Sequence, residues 1–334
     1  ACNKENEDRI VTNEDGGSIT VIDNGEKETR SPLISVEKIE HLENMEVCDW
    51  LDNDTVIVSK DNENMAKMTM TDLQDLYPKS LYSYNINTKE YNSILEKENV
   101  ILQGGTLSED RNFLLYSEYV LGDPAYYVMN LTTKESFCLM SEEIDFARSA
   151  IWFGNEIAGS SYKNGGYLAN TSGDISVLDG LKDESVFILR MTKDNIYYNT
   201  GEDTTLVKVN RSTGEKIKLN LNNVFDVIIS HDQSKMLVLQ SDSTKSSLIL
   251  CDLDGNNQVT VVEGSDLGGV SWSADNRMIA YNVNSMETDA SVSGLYVYDI
   301  LNAQSTQIAV DVQNAFTVWS PNGDKLIYGE WKVY

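Results

Sequence analysis

Only two histidines occur among the 334 residues, His41 and His231. A serine–histidine–carboxylate triad needs one well-placed histidine, and the common metal sites take two or three. His231 stands in Ser230-His231-Asp232-Gln233-Ser234, a polar run between apolar segments that reads as a tight turn. His41 lies in the glutamate-rich stretch 37–46 and reads as solvated. No Gly-x-Ser-x-Gly, His-Glu-x-x-His or Walker A pattern is present. The four cysteines, Cys2, Cys48, Cys138 and Cys251, are too scattered for a disulfide scaffold or a Cys-x-x-Cys metal site. The last three sit in apolar, strand-like runs and read as small hydrophobes. These residues assign no catalytic group, no metal site and no cofactor. Paired acids are plentiful, so a carboxylate-only glycosidase stands as the enzymatic alternative.

Charge narrows the classes further. Against 26 Lys and Arg stand 53 Asp and Glu, a net charge of −27. Such a surface repels phosphate backbones and anionic lipid heads, which argues against nucleic-acid or membrane-surface binding. Hydrophobic residues make up 41% of the chain, enough to argue against disorder. No apolar run approaches the ~18 residues of a membrane span.

Two short elements recur and alternate. The first is a strand ending in Asp or Asn, followed by a turn rich in Thr, Gly, Lys or Asn. Copies end at Asp23, Asn85, Asn130, Asn170, Asn210, Asp252 and Asp299. From Asn85 onward their spacings are 45, 40, 40, 42 and 47 residues, whereas Asp23 to Asn85 spans 62. An Asx side chain at this place bonds the backbone two residues on and fixes the turn. The second element is clearest in Trp272-Ser273-Ala274-Asp275-Asn276 and Trp319-Ser320-Pro321-Asn322-Gly323, each followed by an apolar strand. Weaker copies begin at Leu107 and Ile229, and degenerate ones near Trp50, Trp152 and Met191.

These copies resemble the repeats of TolB-type and WD-like β-propellers, and the resemblance runs from Ser18 to Tyr334. The spacing matches the ~40–45 residues of a four-stranded blade. The expected fold is therefore all-β: a single propeller of seven four-stranded blades spanning residues 18–334. The half-blade around Asp23 and the half-blade Trp319 to Trp331 would close the ring by pairing the two chain ends. Residues 59–80 form an insertion in blade 1, in which Ala66 to Tyr77 is expected to form a short helix, and 284–294 form a long loop in blade 6. Residues 1–17 read as a flexible polar tail. Within it, Ala1-Cys2 resembles the end of a bacterial lipobox, which implies lipidation at Cys2 and a lipid-anchored, extracytoplasmic place in the cell envelope.

The resemblance also implies two unlike faces. The A–B and C–D turns, which carry the repeated motifs, fall on one. The B–C and D–A loops, irregular and acidic, fall on the other, where ligands are expected. Tyr119, Asp123, Tyr126 and Tyr162 lie on or beside these loops and suit stacking on, and hydrogen bonding to, a sugar or peptide. Glu202, Asp203, Glu287 and Asp289 add acid to the same face and would favour a cationic partner. The function expected is a non-enzymatic, monomeric envelope lipoprotein that binds a protein, peptide or glycan through this face. The alternative is a carbohydrate-active enzyme, a lyase or glycosidase, on the same scaffold.

Overall fold

The computed structural model describes residues 9–12, 18–21, 38–70, 72–183, 185–284 and 293–330. Cys2, Asp23, Glu287, Asp289, Trp331 and most of the 284–294 loop lie outside the described residues. The chain divides into two compact units, Ala1–Leu33 and Ile34–Tyr334. In the first, Arg9–Thr12 pairs antiparallel with Ser18–Val21. The boundary thus falls between residues 33 and 34, where the sequence suggested 17 and 18.

The second unit is all β-sheet, with a single 3-10 turn at Asp179–Leu181 and no α-helix among its described residues. Four-stranded antiparallel sheets follow one another along the chain. Their innermost strands are Glu46–Trp50, Ile101–Leu107, Ile151–Phe153, Val186–Met191, Val224–Ile229 and Asp266–Trp272. Within each sheet the strands are called A to D in chain order, A being innermost. The first two sheets also touch through one pair, Lys79 with Ile101. A seventh sheet has three strands, Ala315–Trp319, Lys325–Glu330 and Lys38–Glu43.

The B strands show why the sheets stack face to face. Val56-Ile57-Val58, Leu114-Leu115-Tyr116, Met236-Leu237-Val238 and Ile279-Ala280-Tyr281 are buried without interruption. A strand covered on both faces carries a continuous apolar run rather than an alternating one. Each B strand is covered by the neighbouring sheets, so hydrophobic clusters join one sheet to the next, as Leu237 and Leu250 join Trp272 and Tyr281. D strands such as Lys216–Lys218 are exposed throughout.

The repeated motifs do the work their residue types suggested. Asn85, Asn130, Asn170, Asn210, Asp252 and Asp299 are each the last residue of a C strand. Each accepts a hydrogen bond from the backbone N–H two residues on, at 2.9–3.0 Å. At the A–B turns, Ser108, Ser230, Ser273 and Ser320 donate to Asp110, Asp232, Asp275 and Asn322. The indoles of Trp152, Trp272 and Trp319 donate to strand A of the preceding sheet, at Thr106, Ile228 and Ser271. The tryptophans therefore both pack between sheets and tie them. Trp50, at the ring's joint, is buried without such a partner.

Strand Ala315–Trp319 packs against both Asp266–Trp272 and Glu46–Trp50, which closes the ring. The pairing of chain ends differs from the four-stranded closure expected. Lys38–Glu43 lies parallel to Lys325–Glu330, with Lys38 opposite Lys325 and Glu43 opposite Glu330. A two-residue link, Asn44-Met45, then leads directly into the first sheet. The insertion also differs. Residues 66–70 are irregular and 72–75 form a turn, with no helix among them, held by Met68 N–H to Leu76 O at 2.8 Å and Leu73 N–H to Met70 O at 2.8 Å. Met68 is buried, so one anchoring side chain overrides the helix-like spacing of the methionines and leucines.

Candidate functional site

The B–C and D–A loops stand on a rigid scaffold, and a second set of joints explains why. A polar residue near the loop end of several B strands reaches strand A of the next sheet. Ser59 Oγ donates to Leu102 O at 2.5 Å, and Asn199 Nδ2 to Val224 O at 2.6 Å. Ser160 Oγ accepts from Ile188 N–H at 2.8 Å, and Asn282 Oδ1 from Ala315 N–H at 3.1 Å. These side chains are buried, so each bond satisfies a group that would otherwise be costly. Sequence reading missed them. Their signal was a lone Ser or Asn within an otherwise apolar B strand.

On this scaffold the second and third sheets bring three of the expected residues together. Asp123 lies in the B–C loop of the second sheet, Tyr126 at the start of its C strand, and Tyr162 in the B–C loop of the third. The Tyr162 phenol and the Asp123 carboxylate are near enough to interact electrostatically. Burial and then Asp123 push the Tyr162 phenol up to about 12, so it stays a neutral donor at any physiological pH. Burial and the same carboxylate raise Tyr126. Arg148 completes the cluster. Its guanidinium carbon lies 5.8 Å from the Tyr162 ring centre and 4.0 Å from that of Phe187, the geometry of cation–π stacking. Arg148 and Phe187 were not foreseen, since nothing in the sequence links positions 39 apart on neighbouring sheets.

A small hairpin flanks the cluster and has no counterpart in the other sheets among the described residues. Met140–Ser141 pairs with Asp145–Phe146, with Met140 opposite Phe146. Tyr162 N–H bonds Phe146 O at 3.2 Å, while Lys163 and Asn164 bond the hairpin tip at Glu142 O and Glu143 O. Met140 and Phe146 remain 49% and 40% exposed, beside an acidic tip. Leu121, in the same B–C loop as Asp123, is 46% exposed. Phe225 and Phe316 hold the second position of their A strands and are also exposed. The face therefore offers apolar rings and carboxylates side by side, suited to gripping a chain that is both basic and apolar.

The remaining expected residues are placed elsewhere. Tyr119 ends the B strand of the second sheet, opposite Ile101. Glu202 and Asp203 are exposed in the B–C loop of the fourth sheet. Asp203 holds that loop: it pairs with Lys218 at 2.8 Å and accepts from Thr205 N–H at 3.0 Å. The lysine and then Thr205 hold its carboxyl well below the usual range.

Both histidines have structural partners. His41 Nε2 lies 3.1 Å from Glu330, and its ring stacks on Tyr328 with centres 4.7 Å apart. The His231 backbone N–H donates to Asn276 Oδ1 at 2.7 Å, tying two neighbouring A–B turns, and its ring Nε2 lies 3.4 Å from Trp272 O. Cys251 is buried in the core, and burial pushes up the half-buried thiols of Cys48 and Cys138. No group of three His, Cys, Asp or Glu among the described residues is placed to hold a metal ion.

Neither a protein-family model nor a curated protein matches the sequence. Solved structures do match in fold. An oligogalacturonate lyase from Vibrio parahaemolyticus is 13% identical, with 86% of each chain covered and a TM-score of 0.58. TolB from Acinetobacter baumannii is 10% identical over 83% of this chain and 67% of its own, with a TM-score of 0.51. The Swd1 β-propeller domain from Myceliophteria thermophila is 10% identical over 84% of this chain and 94% of its own, with a TM-score of 0.53. These likenesses join the closed ring and the two repeated turn motifs in one conclusion: the chain has the fold of the TolB-like and WD-like β-propellers.

Proposed function

We propose that this chain is a non-enzymatic cell-envelope propeller that binds a protein partner, in a basic and apolar segment, through the loop face over its second and third blades. The observation that carries the reading is the Asp123–Tyr162–Arg148–Phe187 cluster beside the projecting Met140–Phe146 hairpin. An exposed methionine–phenylalanine pair supplies contact area, while Asp123 and the acidic tip supply charge for a cationic partner. The His41 ring meets Glu330 and Tyr328 in the closing sheet, and the His231 ring lies in an A–B turn with Nε2 3.4 Å from Trp272 O. We take the ring as seven-bladed, six four-stranded blades and the closing one. A lipid on Cys2 would hold the protein at the envelope, and mass spectrometry of the native membrane fraction tests that part separately.

The binding reading is tested by photo-crosslinking in the source cells. A benzophenone side chain at position 146 should give one discrete protein adduct. The same group at Leu301, in a C–D turn and 74% exposed, should give none. Adducts from Leu301 alone would overturn the assignment of the face. Turnover of a polysaccharide by the purified protein would overturn the non-enzymatic reading.

A further inference from the structure

The sheet that closes the ring is one strand short. The other six have four strands each, and this one has three among the described residues. Its outermost strand, Lys38–Glu43, runs parallel to Lys325–Glu330 and leads into the first sheet, as a D strand does. Yet it lies directly beside strand B, where the other sheets have strand C. Strands stand about 4.8 Å apart within a sheet, so both neighbouring sheets reach beyond this one by that width. A slot one strand wide is left at the rim.

The floor of the slot is a bare strand edge. Lys38 N–H donates to Asp324 O at 3.3 Å and Asn44 N–H to Glu330 O at 3.2 Å, so the even-numbered residues face Lys325–Glu330. The backbone N–H and C=O of Ile39, His41 and Glu43 point the other way and meet no partner among the described residues. Such an edge is a template for a further strand. The two walls differ. Ile39, His41 and Glu43 turn their side chains toward the sixth sheet, where His41 stacks on Tyr328 and Ile308 packs against the same cluster. Ile39 is 42% exposed there. On the other side the first sheet presents Tyr82 and Tyr91, with Lys60 Nζ 5.2 and 4.8 Å from their ring centres. The Tyr91 hydroxyl lies 3.8 Å from Met45 Sδ, just beyond Glu43, which sets this wall beside the strand. Lys60 has no acidic partner among the described residues.

We propose that this slot takes an extended segment of a partner protein as a fourth strand, antiparallel to Lys38–Glu43, with apolar and acidic residues in alternation. A residue set opposite Ile39, His41 or Glu43 points the same way as they do, toward Ile39 and Ile308. The residues between point at Tyr82, Tyr91 and the Lys60 ammonium, which suits carboxylates. The main chain supplies affinity, and the two walls select the sequence. The site does not depend on the loop-face reading, since it lies at the rim and uses other residues.

The test uses the full chain and the synthetic peptide acetyl-Thr-Val-Glu-Val-Glu-Val-Thr-amide. In the free protein the amides of Ile39, His41 and Glu43 should exchange hydrogen rapidly, and those of Glu40 and Leu42 slowly. The peptide should bind one to one and slow the exchange of the first three. N-methylation of its valines, whose N–H groups face the edge, should weaken binding by about tenfold or more, the range of one or two hydrogen bonds. N-methylation of its glutamates, whose N–H groups face away, should leave binding unchanged. Lysine in place of glutamate should weaken binding, although the field of a chain of net charge −27 favours the lysine peptide, and Lys60→Gln should remove the preference. Slow exchange at Ile39, His41 and Glu43 in the free protein would mean that the chain itself covers the edge, and would overturn the site. Failure of the peptide to bind would do the same, as would binding that is indifferent to N-methylation of the valines or to the sign of the charge. The peptide variants decide the matter without any change to the protein.

Discussion

Single side chains hold this ring together at positions where the backbone alone leaves polar groups unmet. Asn282 is the fullest case. Its Nδ2 donates to Gly294 O at 2.8 Å and Val312 O at 2.9 Å, and its Oδ1 accepts from Ala315 N–H. Asn282→Ala strands three buried backbone groups and should cost roughly 2–4 kcal/mol in denaturant unfolding. Asp299 supports the structure in a pH-dependent way. Burial would raise its carboxyl, but Arg277, bonded at 2.9 and 3.2 Å, outweighs burial and holds it below the usual range. The unfolded chain therefore takes up this proton first as the pH falls. The contribution is whole above the unfolded value, about pH 4, and is lost as the pH falls through the lower folded value. Melting temperatures measured from pH 7 to pH 2 should fall from about pH 4 downward, and Asp299→Asn should start lower and fall less steeply.

At the scale of elements, the sequence was legible wherever a local motif made its own hydrogen bonds. The Asx at the C-strand ends and the serine at four of the A–B turns act within a few residues, so their types and spacing revealed the strands around them. Trp272 and Trp319 were legible because each adjoins such a serine turn, although their indole partners, Ile228 and Ser271, lie far back in the chain. What depends on distant partners was not. Lys38–Glu43 carries no turn motif, and its parallel pairing rests on side chains far along the chain. Glu40 is buried against Lys38, Lys89 and Tyr84, which together outweigh the effect of burial and lower its carboxyl. His41 meets Glu330. The candidate site divides likewise: Asp123, Tyr126 and Tyr162 were visible as loop residues, while Arg148 and Phe187 join them only through the stacking of sheets. The closing strand gives a direct prediction. Removal of residues 1–33 should leave the melting transition of the ring unchanged, because those residues form a separate unit. Removal of residues 1–43 takes away the strand beside Lys325–Glu330 and should abolish cooperative melting.

For the whole molecule, the contrast between the two faces matters more than the total charge. The turn face is spent on itself: Asn53, Asn155, Gln233 and Asn276 each accept from the neighbouring A–B turn, and Asn53 does so across the ring's joint with Asn322. The loop face keeps exposed rings and carboxylates that no such pattern uses. A partner steered by this field should associate more slowly as ionic strength rises, while its release should change little. One titration tests most directly whether the loop face is the place of contact. The partner crosslinked at position 146, once purified, is titrated against the parent protein and Tyr162→Ala, with melting curves as a check on folding. Loss of the Tyr162 contact with Asp123 and Arg148 should weaken binding by about tenfold or more at an unchanged melting temperature. Unchanged affinity in Tyr162→Ala would contradict the account.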